Sequence, residues 1–138
     1  MILTAATVLT GEYSHSPGWV EVDHGVISAV GSGVPPRPAD VDLGDVVLTP
    51  GFVDMHVHGG GGGAYFEATD TAVAASVTLH RRFGTTSTIA SLVSDHHDVL
   101  VAQVRAPADH VESGELPGLH LEGPWLSPHR CGAHEPSA

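Results

Sequence analysis

The chain has 138 residues, 41% of them apolar, with Gly 17 and Pro 10: enough for one turn-rich domain or for parts of two. Its formal net charge is −11 and its five cationic residues are all arginines, a balance that repels a phosphate backbone and excludes nucleic acid as an expected partner. The lone Cys131 rules out an intrachain disulfide framework. Residues 1–6 lack a basic leader and no apolar run nears the roughly 20 residues of a membrane helix, so a soluble, cytoplasmic protein is expected.

Residues 1–48 read as short strands broken by turns. Residues 2–9 are β-branched and apolar, residues 18–22 alternate, and residues 26–30 follow the turn Asp23-His24-Gly25. Residues 31–42 carry Pro35, Pro36 and Pro38 and are expected to be a loop, after which Val46-Val47-Leu48 starts another extended run. This small β unit is too thin to bury a core by itself and should pack on something else.

From residue 49 the pattern alternates between strand and helix. An apolar run over 52–57 ends in His58 and five glycines, Gly59 to Gly63. Asp70 can cap a helix whose apolar positions are Val73, Ala74, Val77 and Phe83, and Gly84 ends it. Residues 85–93 form a second strand. Ser94 or Asp95 opens a second helix carrying Val99, Leu100, Val101 and Val104; Pro107 and Pro117 then bracket a connector, and Leu119-His120-Leu121 is a third strand. Beyond Glu122 the chain reads as loop. Strand-helix-strand-helix-strand predicts an α/β fold built from βα units on a parallel sheet. Three strands are fewer than a (β/α)8 barrel of about 250 residues requires, so the chain is expected to continue past Ala138.

Eleven histidines are the informative excess, because imidazole is the usual transition-metal ligand and the usual proton carrier near neutral pH. His56 and His58 lie two residues apart at the end of the first βα strand, and so share a face. Two such imidazoles can hold one divalent ion at about 2.0–2.1 Å per nitrogen; the competing reading is a half-buried strand with two exposed histidines. Glu122, at the end of the third strand, can supply an oxygen ligand from a neighbouring strand or can be a surface residue before a Gly-Pro turn. His120 shares its face and has no assigned role beyond supporting a ligand. The glycine run lacks the Gly-Lys-Ser/Thr ending of a phosphate loop and serves either close backbone approach to a pocket or flexibility. Trp125 is expected to anchor its loop, and Cys131 to be incidental or redox-sensitive.

Pro50-Gly51-Phe52-Val53-Asp54-Met55-His56-Val57-His58-Gly59 resembles the opening signature of the amidohydrolase superfamily. His120-Leu121-Glu122-Gly123-Pro124-Trp125 with the later Gly132-Ala133-His134 is similar to the N-acetylglucosamine-6-phosphate deacetylases. The resemblance implies a metal-dependent (β/α)8 barrel over 49–138 and beyond, preceded by part of a small β-sandwich over 1–48. It also implies His56, His58 and Glu122 as metal ligands, and His134 with Ala133 at the substrate. One or two divalent ions are expected, zinc foremost, with iron, manganese, cobalt or cadmium as alternatives. The implied reaction converts N-acetylglucosamine 6-phosphate to glucosamine 6-phosphate and acetate, in an enzyme that forms homodimers. Two further histidine ligands and the catalytic aspartate have no counterpart before Ala138, so these residues alone should be inactive. Two other readings stay open: a dihydroorotase- or hydantoinase-like cyclic amidase, whose bridging lysine is missing here, and a non-catalytic metal-binding module.

Overall fold

A computed structural model describes residues 1–134, which divide into two compact units, Met1–Pro50 and a second beginning at Gly51. The first is all β. Strands β1 (Ile2–Ala5), β2 (Thr7–Leu9), β3 (Ser14–His15), β4 (Gly18–Asp23), β5 (Val26–Ser32), β6 (Val41–Asp42) and β7 (Val47–Leu48) form two sheets, ordered β5-β4-β1-β6 and β3-β2-β7. The run over 2–9, expected as one strand, is thus two. Its ladder breaks at Ala6, whose N–H donates to the Gly44 carbonyl, and the chain passes from one sheet into the other. The proline-rich stretch likewise ends in a strand, because residues 41–42 pair in parallel with β1. Arg37 and the Ile2 N–H both bond Asp40, at 2.9 and 2.6 Å. Those contacts, the Ile2 N–H foremost, hold that carboxyl below the ordinary carboxylate range. Ala5, Val8 and Val20 form a small buried core. The unit's own residues leave an apolar cleft of about 280 Å³ lined by Leu3, Val8, Val20, Ile27, Val30 and Leu48.

The second unit opens with β8 (Phe52–Val57), a glycine hairpin of β9 (Gly59–Gly60) and β10 (Gly63–Ala64), and a 3-10 turn over Tyr65–Glu67. Then come α1 (Asp70–Arg82), β11 (Thr85–Val93), α2 (His97–Glu112) and β12 (Leu119–Glu122). The sheet is parallel with β11 central, ordered β12-β11-β8, so each helix returns the chain to the neighbouring strand. This is an α/β arrangement. Tyr65, Val73, Val77, Ala90, Leu92, Leu100 and Leu116 form the core between helices and sheet.

Helix α1 is capped by Thr69, whose hydroxyl accepts the Ala72 N–H at 3.2 Å; Asp70, expected as the cap, is the first helical residue, beside the positive end of the helix dipole. Its buried face is Ala72, Val73, Ser76 and Val77, whereas Ala74 and Phe83 are exposed. Helix α2 starts two residues after Asp95, with His96 preceding it, and runs through Pro107. That proline was expected in a connector, since it removes a helical hydrogen bond at a cost of about 3 kcal/mol. Tertiary packing overrides the penalty: Leu100, Val104, Pro107 and Val111 recur at helical spacing, and Leu100 and Pro107 are buried. Val99 and Val101 face solvent.

Candidate metal centre

The site occupies the sheet face opposite the helices, at the carboxyl ends of all three strands. Ala90 and Leu92 of β11 turn toward the helices, so Ser91 and Val93 turn away from them, as alternation requires. The register Ser91↔His120 and Val93↔Glu122 puts His120 and Glu122 on that same side, and Ala90↔Val57 does the same for His56 and His58. The regular β11–β12 ladder, together with a β11–β8 ladder that shifts register between Thr88 and Ala90, is what brings residues 56 and 122 together.

The three expected ligands meet. His56 Nε2 lies 2.9 Å from Glu122 Oε1 and His58 Nε2 lies 3.6 Å from Glu122 Oε2; the two rings stand edge to face at 5.0 Å. Donor atoms on a tetrahedral ion with bonds of about 2.0–2.1 Å stand roughly 3.3 Å apart, a value these two distances bracket. One potential ligand atom from each residue lies within 4.8 Å of the other two. The protonation pattern also suits an ion. His58 Nδ1 lies 3.0 Å from the Ser91 carbonyl, which only accepts, so Nδ1 carries a proton and Nε2, facing Glu122, is the nitrogen that the neutral ring leaves for a metal. Two imidazoles and one carboxylate form a donor set a divalent ion accepts.

His134 joins them from the far loop, with Nε2 3.5 Å from Glu122 Oε2. Its Nδ1 lies 2.7 Å from Ser94 Oγ and receives the Ser94 N–H at 3.4 Å, which leaves the ring proton on Nε2. His134 therefore presents a donor where His58 presents a lone pair. Ala133 lines the same open cavity of about 580 Å³, together with His120, Arg130 and Cys131. Cys131 is half-buried and its thiol contacts the Pro128 carbonyl at 3.5 Å. Trp125, expected to anchor its loop, is 89% exposed.

The glycine run belongs elsewhere. Gly60 pairs with Gly63 across a two-residue turn in which Gly61 and Gly62 have φ of +64° and +88°, a conformation that disfavours side chains. A Cβ on Gly61 would meet the Ala75 carbonyl at 2.7 Å, and one on Gly63 the Ala72 carbonyl at 2.5 Å. The glycines let the hairpin lie directly on the backbone of α1. The close approach is to a helix rather than to a substrate pocket.

No family model matches the chain. Among solved structures, an N-acetyl-D-glucosamine-6-phosphate deacetylase from Mycobacterium smegmatis is 51% identical with a TM-score of 0.92, over 99% of this chain and 39% of that one. A point mutant of that enzyme in complex with N-acetyl-D-glucosamine-6-phosphate superposes equally well. The N-acetylglucosamine-6-phosphate deacetylase of Bacillus subtilis (strain 168) is 33% identical over 84% of this chain and 32% of its own length. The N-acetylgalactosamine-6-phosphate deacetylase of Shewanella sp. (strain ANA-3) is 31% identical over 99% and 36%. The chain belongs to the N-acetylglucosamine-6-phosphate deacetylase family. It spans about a third of the length of these relatives.

For a member of this family, two serines escaped the reading of motifs. Ser91 and Ser94 lie in a segment rich in Ser and Thr, where neither stands out by type. Counting by twos from Val93 would have placed Ser91 on the site face. Nothing in the sequence pairs Ser94 with a histidine 40 residues away.

Proposed function

We propose that the protein to which this chain belongs hydrolyses the acetamide of N-acetylglucosamine 6-phosphate, giving glucosamine 6-phosphate and acetate, with His56, His58 and Glu122 as metal ligands. The convergence of these three side chains from two strands separated by β11 carries the reading. The relatives named above, all sugar-phosphate deacetylases, support it.

An amide resists hydrolysis because its carbonyl is weakly electrophilic and water is a weak nucleophile. A divalent ion at this site supplies Lewis acidity, which polarises the carbonyl and moves the pKa of water toward 7. The residues do the positioning. His58 is locked by the Ser91 carbonyl with its lone pair inward, and Glu122 spans both imidazoles with its two oxygens. His134, bearing its proton on Nε2, hydrogen-bonds the acetamide oxygen as negative charge develops there. Water adds across the C–N bond: the hydroxyl goes to the acetyl carbon and a proton to the departing amine. A carboxylate outside these residues delivers that proton. In the same proposal the second unit contributes the first three βα steps of a (β/α)8 barrel and the first unit part of a β-sandwich. The working enzyme is a cytoplasmic homodimer that uses zinc.

The names of the relatives also favour a second reading, in which the substrate is the galactosamine epimer. Acetate release from each sugar phosphate separates the two. In the complete protein, Glu122→Ala should remove bound metal and abolish acetate release; undiminished turnover would sink the assignment. Residues 1–138 alone should give no turnover.

A further inference from the structure

Ser91 is 1% exposed and sits on the central strand, between the strands that carry the candidate ligands. Both of its polar oxygens serve histidines. Its carbonyl takes the His58 Nδ1–H at 3.0 Å, and its Oγ lies 3.2 Å from His120 Nδ1. Its hydroxyl thus pins His120, whose ring lies 5.2 Å from that of His56 at an interplanar angle of 56°. The His56 side chain is 51% exposed, so on its solvent side little restrains its rotamer.

We propose that Ser91 and His120 form a positioning pair, in which the Ser91 hydroxyl orients His120 and the His120 ring holds His56 Nε2 against Glu122. This rests on the metal reading of the site. One buried residue of β11 then orients both imidazoles at the end of β8, His58 directly through a carbonyl and His56 through an intervening ring. His120 is assigned no bond to metal and none to substrate. Its contribution is the shape and fixed orientation of its ring. Partners of this outer kind change metal affinity by 10–100-fold when removed.

The test uses the complete protein, stripped of metal and titrated with Zn²⁺ against a chromophoric chelator, with the visible spectrum of the Co²⁺ form as a second readout. Ser91→Ala and His120→Ala should each weaken Zn²⁺ binding about tenfold or more, while the Co²⁺ bands keep the intensity of an unchanged ligand set. His120→Phe keeps a ring against His56 but loses the bond to Ser91, so it should weaken Zn²⁺ binding about as much as Ser91→Ala and clearly less than His120→Ala. Wild-type affinity in His120→Ala would overturn the proposal, and so would a His120→Phe protein as weak as His120→Ala or with an altered Co²⁺ spectrum, since His120 would then be a ligand. Because His120 is only half-buried, its two variants decide the matter even if Ser91→Ala fails to fold. Absence of Zn²⁺ binding by the wild-type protein is a separate result, which removes the metal reading itself.

Discussion

Replacing Gly63 with alanine tests whether the glycine run is a packing device. The new Cβ would stand 2.5 Å from the Ala72 carbonyl oxygen and 2.6 Å from its Cα, where ordinary contact begins at 3.4 Å. The shortfall is 0.9 Å from the oxygen, and both atoms are backbone, so no rotamer change relieves it. Either the hairpin or the first turn of α1 must move, and that turn carries Ala72 and Val73 into the core. Overpacking of this kind costs about 1–3 kcal/mol, and a backbone obstacle places Gly63→Ala at the upper end. Gly62→Ala meets open space and bears only the left-handed φ of +88°, for about 1–2 kcal/mol. Gly118→Ala meets nothing within 4 Å and should be neutral. Amide hydrogen exchange along α1 in the complete protein reads the difference locally: about 3 kcal/mol lowers protection roughly 100-fold. Equal protection in Gly63→Ala and Gly118→Ala would refute the packing. If the run instead cradled phosphate, Gly62→Ala would raise KM for the sugar phosphate, and no such rise is expected.

Three further outcomes follow from other contacts. Tyr65 and Ser76 are fully buried and share a 2.9 Å hydrogen bond, so Tyr65→Phe strands the Ser76 hydroxyl and should cost about 1–3 kcal/mol in denaturant titration. Adding Ser76→Ala should recover most of that loss, and a double mutant no better than the single one would contradict it. Asp40 has a depressed folded-state pKa, so its stabilising contribution is present above the unfolded carboxylate value and fades as pH falls below about 4. In NMR titration Arg37→Ala should raise the Asp40 pKa only part of the way to the ordinary value, because the Ile2 N–H is the larger cause; full reversion would show that the ranking is wrong. Finally, free zinc at 100 times its Kd should stabilise the folded protein by about 2.7 kcal/mol, and chelation should remove that gain. Glu122→Ala should show neither response, and a wild-type shift in that variant would place the ion elsewhere.

The three strands of the parallel sheet were legible because each couples an apolar run to flanking turn residues, and the structure ends β11 at Thr85 and Val93 as read, whereas the glycine hairpin of β9 and β10 was not. Helix faces were harder. Ala72 and Ser76, small and in one case polar, occupy the buried side of α1, while the larger Phe83 is exposed. Spacing counted on bulky residues alone misses a helix that packs closely on a glycine hairpin. Pro107 misled for the opposite reason: a strong local preference lost to burial of the Leu100–Val104–Val111 stripe. In the first unit, the division of residues 2–9 between two sheets depends on Gly44 meeting Ala6, a long-range contact with no local signature.

His56 and His58 could be paired from alternation along one strand, but Glu122 needs two crossovers and the register of two ladders before it can reach them. A register slip of one residue on β12 would turn Glu122 to the helix side and leave the imidazoles without a carboxylate. The buried residues that fix this register, Ala90 and Leu92 on β11 with Leu119 packed beside them, are therefore as much a condition of the candidate site as its ligands. Ser91 lies within that same stretch, with its backbone in the ladder and its two oxygens on the histidines. Core packing and ligand orientation meet at this one residue, which is why a motif made only of His, Glu and Gly describes the site incompletely.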